Sequence, residues 1–178
     1  MIRSLILAAT ATLSLAACAT TEADMAADAA AATGDMTPTN RGAYVEMAAA
    51  SDLFEIQSGT MAGQKGQSPA VRQFGQMLVQ HHTQTTAQLT AAATAAGTPP
   101  TPDLMPMQQT MMAQLRDASG AEFDSTFARL QVQAHEMALA LHSNYARNGD
   151  TPALRAVASA AVPIIQQHLD QARTLPGA

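Results

Sequence analysis

The fold is decided by residues 68–89, which read SPAVRQFGQMLVQHHTQTTAQL. Ser68 is of a type that caps helix N-termini, and Pro69 suits the first helical position. Apolar side chains then recur every three or four residues, a spacing that places them on one face of a helix. The pattern predicts an amphipathic helix that continues to about Ala96. Its inward stripe is Val71, Phe74, Leu78, His82, Thr85, Leu89 and Ala92.

The same periodicity recurs in three more long stretches and in one short stretch between the second and third long ones. No run of residues alternates with period two, so we expect no sheet, and the short connections favour antiparallel neighbours. The sequence therefore predicts an all-α four-helix bundle with one short extra helix, and a kink or break one turn before Pro163. The predicted helices cover residues 41–63, 68–96, 107–117, 121–147 and a last stretch from 151.

The chain opens with the features of an export signal. Arg3 makes the start basic, residues 5–15 are apolar except for Thr and Ser, and small residues precede Cys18. This apolar run is too short to cross a bilayer core of about 30 Å. The motif Leu-Ala-Ala-Cys that ends at Cys18 resembles the lipobox of bacterial lipoproteins, in which the signal is cut before a cysteine that carries acyl chains. An ordinary secretory signal that happens to contain a cysteine is the alternative.

These features divide the chain into three parts. Residues 1–17 are the predicted signal peptide, residues 18–40 the lipidated cysteine and a flexible tether, and residues 41–175 the helical domain. A flexible coil of the tether's length reaches about 25 Å, which would hold the domain just off the membrane. Ala19, and not Asp, follows the cysteine, and by resemblance to enterobacterial sorting rules this favours the outer membrane. We therefore expect the domain on the periplasmic face of the outer membrane.

Composition narrows the possible functions. The 178 residues less the 17 of the signal leave 161, enough for one domain with a core. This remaining part has eight basic and fourteen acidic side chains, because Arg3 is removed with the signal peptide. This balance argues against nucleic-acid binding, which needs basic patches. The single cysteine is taken by the lipobox, and the sequence contains neither a Gly-x-Ser-x-Gly elbow nor a phosphate-binding glycine loop. We assign no catalytic residue.

Each long helix directs one titratable side chain towards the bundle interior. Glu55, His82 and His168 lie within the apolar stripes, and His135 lies at the edge of its stripe. A buried carboxylate is costly unless it is paired or bound to a metal, and one Glu with three His could bind Fe, Zn, Cu or Ni. All four lie near mid-helix, so we expect them at one level. A hydrogen-bonded core network is the alternative reading, and His81 is either a further ligand or a surface group.

Two familiar metal motifs do not fit these residues. A ferritin-type di-iron centre needs Glu-x-x-His on two helices, and no His in this sequence has a Glu three residues before it. His135 and Glu136 begin like a His-Glu-x-x-His zinc motif, but Leu139 stands where the second His would be. The cluster is therefore predicted as a site of a different composition.

Several motifs together carry a family resemblance over about residues 43–175. They are residues 51–56, 68–77, 82–83, 123–124, 135–139 and 154–158, followed by Pro163 and residues 168–169. In these motifs the chain resembles the bacterial domain-of-unknown-function family 4142, which is exported and ferritin-like in fold, so the resemblance implies a ferritin-like bundle. The residues on the family's motif positions are Glu55, His82, Phe123, Asp124, His135 and His168. His81 and Ala134 stand where the family usually has Asp, which leaves a site richer in histidine.

The sequence leaves competing functions open. The first is a non-enzymatic lipoprotein of the cell envelope that binds a partner or acts under stress, with the membrane contacted through acyl chains on Cys18. The second is a metal-binding or metal-dependent redox bundle that uses Glu55, His82, His135 and His168, with a transition-metal ion as its cofactor. The third is a metal chaperone that uses His and Met.

The lipobox yields the first testable prediction. Replacing the lipidated residue, Cys18→Ser, removes the only thiol that can take acyl chains, so the protein should move from the membrane fraction to the soluble fraction. Fractionation with a palmitate-analogue label measures both effects. Unchanged membrane association, together with no label on the wild type, would refute lipid anchoring.

Overall fold

The computed structural model describes residues 37–101 and 103–178. These residues form helices and no strand, which confirms the all-helical prediction. The predicted signal peptide, Cys18 and the tether up to residue 36 lie outside the described residues. In chain order the helices are α1 (Arg41–Lys65), α2 (Pro69–Ala95), α3 (Pro106–Asp117), α4 (Gly120–Asn148) and α5 (Pro152–Ala172).

Local signals in the sequence set the helix starts. The Asn40 side chain accepts a hydrogen bond from the Ala43 N–H at 2.9 Å, and the Ser68 hydroxyl accepts one from the Ala70 N–H at 3.2 Å. Both act as N-caps, as the sequence indicates. Helix α5 continues through Pro163, so of the kink or break expected there the break does not occur. A proline removes one intrahelical hydrogen bond, and the loss of this one bond does not end the helix.

The long helices pack as two intimate pairs, α1 with α2 and α4 with α5, which meet through α1–α4 and α2–α5 contacts. Gly59 and Gly75 set the spacing of the first pair. A Cβ atom on Gly75 would lie only 2.6 Å from the carbonyl oxygen of Gly59, so the two backbones touch where a side chain has no room. The ferritin-like arrangement of these helices stays a prediction.

Two apolar clusters occupy different levels of the bundle interior. One contains Phe74 and Phe127, and the other contains Leu89 and Tyr145. Along α2 and α4, the buried histidines lie between the residues of these two clusters. The core therefore has a polar layer between apolar layers, and this layer positions the candidate site.

Asp124 holds the loop between α1 and α2. Its two carboxylate oxygens accept hydrogen bonds from the backbone N–H groups of Gln67 at 2.9 Å and Ser68 at 2.7 Å. Nearby, the Lys65 ammonium donates to the carbonyl oxygens of Leu115 and Arg116 at the end of α3. Asp124 on the family motif thus has a structural role, because it fixes where α2 begins.

The last residues of the predicted tether lie against the bundle. The Thr37 carbonyl accepts a hydrogen bond from the Asn144 side chain at 2.6 Å, and the Thr39 carbonyl accepts one from the Asp150 N–H at 3.0 Å. The Asp150 carboxylate in turn accepts from the Arg41 N–H at 3.1 Å. The start of α1 is thereby tied to the α4–α5 loop.

None of the helices in the described ranges has the length and apolar character needed to cross a membrane.

The Asp124 contacts predict a stability effect. Asp124→Ala should lower the free energy of unfolding by about 2–3 kcal/mol, because two backbone donors lose a charged acceptor. Asp103→Ala is the matched control, since Asp103 is an exposed loop residue, and it should change stability by less than about 0.5 kcal/mol. Urea denaturation followed by circular dichroism measures both. Equal stability of the two variants would contradict the structural role of Asp124.

Candidate metal centre

Three of the four predicted site residues come together in the polar layer. His82 lies on α2, His135 on α4 and His168 on α5, and each is buried. One ring nitrogen from each lies within 4.8 Å of the others, a separation short enough for one ion to bind all three. Helical periodicity placed these residues on inward faces, and the structure brings them to one level.

Glu55, the fourth predicted residue, lies beside this group but does not belong to it. Its Oε1 is 3.8 Å from Nδ1 of His135, and its side chain is almost fully buried. Burial raises the pKa of Glu55 to about 7, against the opposing effects of the charge on His82 and a hydrogen bond from Gln131. Glu55 therefore lies beside the histidines as a carboxyl group that burial disposes towards its neutral form and that a nearby cation would favour in its charged form.

Each of the three histidines uses its other ring nitrogen in a hydrogen bond. Nδ1 of His82 lies 2.7 Å from Oδ1 of Asp52, and Nδ1 of His135 lies 2.8 Å from the carbonyl oxygen of Gln131. Nε2 of His168 lies 2.8 Å from Nδ1 of His81. A carboxylate, a backbone carbonyl and a second imidazole thus fix the three rings, as outer partners do for metal-binding histidines.

These partners determine which nitrogens carry protons. A carbonyl or carboxylate oxygen can only accept, so Nδ1 is the donor in both His135 and His82, and the lone pair of each neutral ring is on Nε2. The contact of His168 with His81 joins two imidazole nitrogens, either of which can donate; when Nε2 of His168 donates, the lone pair of its ring is on Nδ1. Among the described residues, Nε2 of His82, Nε2 of His135 and Nδ1 of His168 are buried without a hydrogen-bond partner. These three ring nitrogens, which make no hydrogen bond, are the ones that are available to bind a metal.

Burial keeps two of these rings neutral. It lowers the pKa of His135 to about 4, and it lowers the pKa of His168 to about 3 with help from the charges of the neighbouring histidines. For His82, burial also favours the neutral form, but the hydrogen bond that its Nδ1–H donates to Asp52 and the charge of Glu55 outweigh it and raise the pKa. A cation in the site would therefore contact the neutral imidazoles of His135 and His168 and the imidazole of His82, which lies beside the carboxylate of Asp52.

Asp52 is a site residue that the sequence reasoning did not identify. Its carboxylate accepts hydrogen bonds from the hydroxyls of Thr85 at 2.9 Å and Thr86 at 3.2 Å, in addition to the contact with His82. The available signal was its position three residues before Glu55, which puts both carboxylates on neighbouring parts of one helix face. Asp52 fixes His82, and it brings a second carboxylate into the layer.

A fourth buried histidine, His142 on α4, lies outside the group of three. Its Nδ1 is 3.2 Å from the hydroxyl of Tyr44, whose ring stacks on Tyr145 with centroids 3.8 Å apart. Burial lowers the pKa of His142 to about 4. His142 therefore gives the polar layer a titratable group that can be changed without removing one of the three clustered nitrogens.

The low pKa of His142 predicts acid sensitivity. The folded pKa of about 4 lies below the usual 6.5, so this residue's stabilisation is complete above pH 6.5 and is lost as the pH falls towards 4. In metal-free protein, His142→Gln should reduce the drop in unfolding free energy between about pH 7.5 and about pH 5 by roughly 2 kcal/mol. Urea denaturation at the two pH values measures this drop. The same drop in wild type and variant would show that His142 does not take up a proton on unfolding.

Comparison with known proteins places the chain in a family. Two solved structures, CopM in the Cu(I)-bound form and CopM in the Cu(II)-bound form, are similar in fold, each with a TM-score of 0.63 and 18% sequence identity, over 75% of this chain and 93% of theirs. No curated protein matches. The family described as Domain of unknown function (DUF4142) matches residues 25–175. The chain belongs to this family.

Proposed function

We propose that this protein binds a divalent transition-metal ion in the bacterial cell envelope, with His82, His135 and His168 as ligands. The observation that carries the proposal is the set of three buried ring nitrogens within 4.8 Å of one another, each on a ring whose other nitrogen is fixed by a hydrogen bond. This combination meets the two needs of a histidine metal site, which are lone pairs at one point and rings held in one tautomer.

Energetics favour metal binding over a purely structural polar network. A buried polar atom without a hydrogen-bond partner costs about 1–3 kcal/mol. Three ring nitrogens, Oε2 of Glu55 and Oε1 of Gln131 have no partner among the described residues, so without an ion the layer is a poorly satisfied network. A bound ion would coordinate the three nitrogens at once. Binding would then remove the free-energy cost of leaving them unpaired, and this gain would add to the affinity for the ion.

The ligand set and its surroundings support a divalent ion. Imidazole suits Zn, Cu, Fe and Ni. Two buried carboxylates, Asp52 and Glu55, lie in the same layer, and their negative charges would balance the two positive charges of such an ion. The structural neighbour CopM is known in copper-bound forms, which adds copper to the metals to be tested first.

The proposal includes an envelope location and a non-catalytic role. The lipobox supports anchoring through acyl chains on Cys18 to the outer membrane, with the helical domain on the periplasmic face. A ferritin-like arrangement of α1, α2, α4 and α5, each contributing to the polar layer, accompanies this proposal. Metal binding is the second of the competing functions in the sequence analysis, and it shares the anchored envelope location with the first, a partner-binding or stress-related lipoprotein.

Metal addition and single substitutions test this function. With protein purified without an affinity tag and freed of metal, Zn²⁺ or Cu²⁺ at about 100 times its dissociation constant should raise the unfolding free energy by about 2.7 kcal/mol. His135→Ala should abolish both binding and this gain, because it removes one of three ligands. His142→Gln is the matched control, a buried histidine outside the group, and it should keep both. Calorimetric titration and chemical denaturation measure them.

The network alternative predicts a different pattern. In a network, chelator and added metal change nothing, while Glu55→Gln still shifts stability because it alters a buried group beside His135. At a metal centre, Glu55→Gln instead weakens the affinity for a divalent ion by removing balancing charge. Metal binding that survives His82→Ala, His135→Ala and His168→Ala alike would overturn the three-histidine site.

A further inference from the structure

The three clustered histidines are nearly closed off from solvent. His82 is 6% exposed, and His135 and His168 are each 1% exposed. A hydrated ion must shed its water before it reaches such a site, so a buried site needs a route by which ligands replace that water. The route has to begin at a side chain that contacts both solvent and one of the three histidines.

His81 meets both conditions. It is partly exposed, and it is adjacent in sequence to His82 on α2. Its Nδ1 lies 2.8 Å from Nε2 of His168, and the two rings stack at 16° with centroids 5.0 Å apart. The two rings therefore lie side by side, the His81 ring reaching solvent and the His168 ring in the buried layer with its Nδ1 unpartnered.

Small cavities adjoin this pair of rings. One of about 20 Å³ is lined by His81, His82, His168 and Ile164 among others, which leaves room for one water molecule or one ion. A second cavity of the same size shares Asp52 and Ile164 with the first. The cavities therefore extend from the outer histidine to two of the three proposed ligands.

Ile164 borders both cavities on the side of α5. It is an exposed large hydrophobic residue, at 37%. It follows Pro163, which has no N–H to donate to the carbonyl of Ser159, so the helix is less firmly bonded here than elsewhere. An apolar side chain on such a turn can move aside at little energetic cost.

We propose that His81 is the uptake ligand of the metal centre, which takes an ion from solvent and passes it to His168 through the cavity beneath Ile164. The inference rests on the proposed function. In the transfer a metal–nitrogen bond to His81 breaks as one to His168 forms, and the water ligands leave to solvent. One neutral imidazole replaces another, so the step needs no oxidant and changes no charge.

Stopped-flow kinetics with Co²⁺ as the probe test this role, because the absorption of bound Co²⁺ reports its arrival at the histidines. His81→Asn should slow association and dissociation alike by about tenfold and change the dissociation constant by less than about threefold, since a lost intermediate raises the barrier without altering the end states. Ile164→Ala should speed both rates by widening the route. Leu139→Ala, a partly buried aliphatic residue that borders neither cavity, is its control and should leave both rates unchanged.

The outcomes separate three cases. If His81 only orients His168, His81→Asn weakens affinity by about 10–100-fold through faster dissociation, as substitutions of outer partners do, and the uptake role is wrong. Unchanged rates in His81→Asn, with Co²⁺ still bound, also overturn the uptake role and leave the metal site standing. If the wild type binds neither Co²⁺ nor Zn²⁺, the proposed function fails and the uptake role falls with it. His81→Gln repeats the measurement should the Asn variant fold poorly.

Discussion

The structure depends on burying a layer of ionisable side chains between two apolar clusters. Asp52, Glu55 and the clustered histidines are removed from water, where charged and unpaired polar groups are costly. Aromatic and aliphatic packing above and below the layer supplies the stabilisation that offsets this cost. Helix pairing, loop bonding by Asp124 and the close contact of Gly59 with Gly75 all hold that layer at one level. A protein that needed only stability would fill these positions with apolar side chains.

Much of the fold could be predicted from the sequence because the signals for a helix, its apolar periodicity and its capping residues, lie within the helix itself or next to it. Apolar periodicity, the caps at Asn40 and Ser68, and the prolines that begin α2 and α5 predict helix starts that agree with the structure. At Pro163 the sequence predicted a kink or a break, and the helix is not broken there, because a proline inside a helical pattern is compatible with either outcome. The contacts that Asp124 and Lys65 make with distant backbone atoms could not be predicted either. Every residue type has the same main-chain groups, so the sequence does not indicate which of them accept or donate these hydrogen bonds.

The candidate site was predictable in part, for a related reason. A helical wheel identifies which side chains face inward, so His82, His135 and His168 could be singled out before their distances were known. Their partners are harder to foresee. The carbonyl of Gln131 belongs to the backbone, Asp52 lies beside the stripe and not within it, and His81 depends on how α2 and α5 pack. Periodicity gives the direction of a side chain, whereas tautomers and hydrogen bonds follow from tertiary contacts.

The three proposed ligands lie on three different helices, and this bears on whether the protein needs the metal in order to fold. In small zinc-dependent domains the ion supplies the folding free energy, and the metal-free chain is unfolded. Here two apolar clusters of aromatic and aliphatic residues contain none of the proposed ligands and stabilise the fold by burial of apolar surface. Each proposed ligand is also held in place by a protein partner and not by its neighbours in the site alone. The metal-free domain is therefore preorganised, and an ion would add stability without rebuilding the fold. Such a centre can release its ion and stay folded, which suits a protein that exchanges metal with its surroundings.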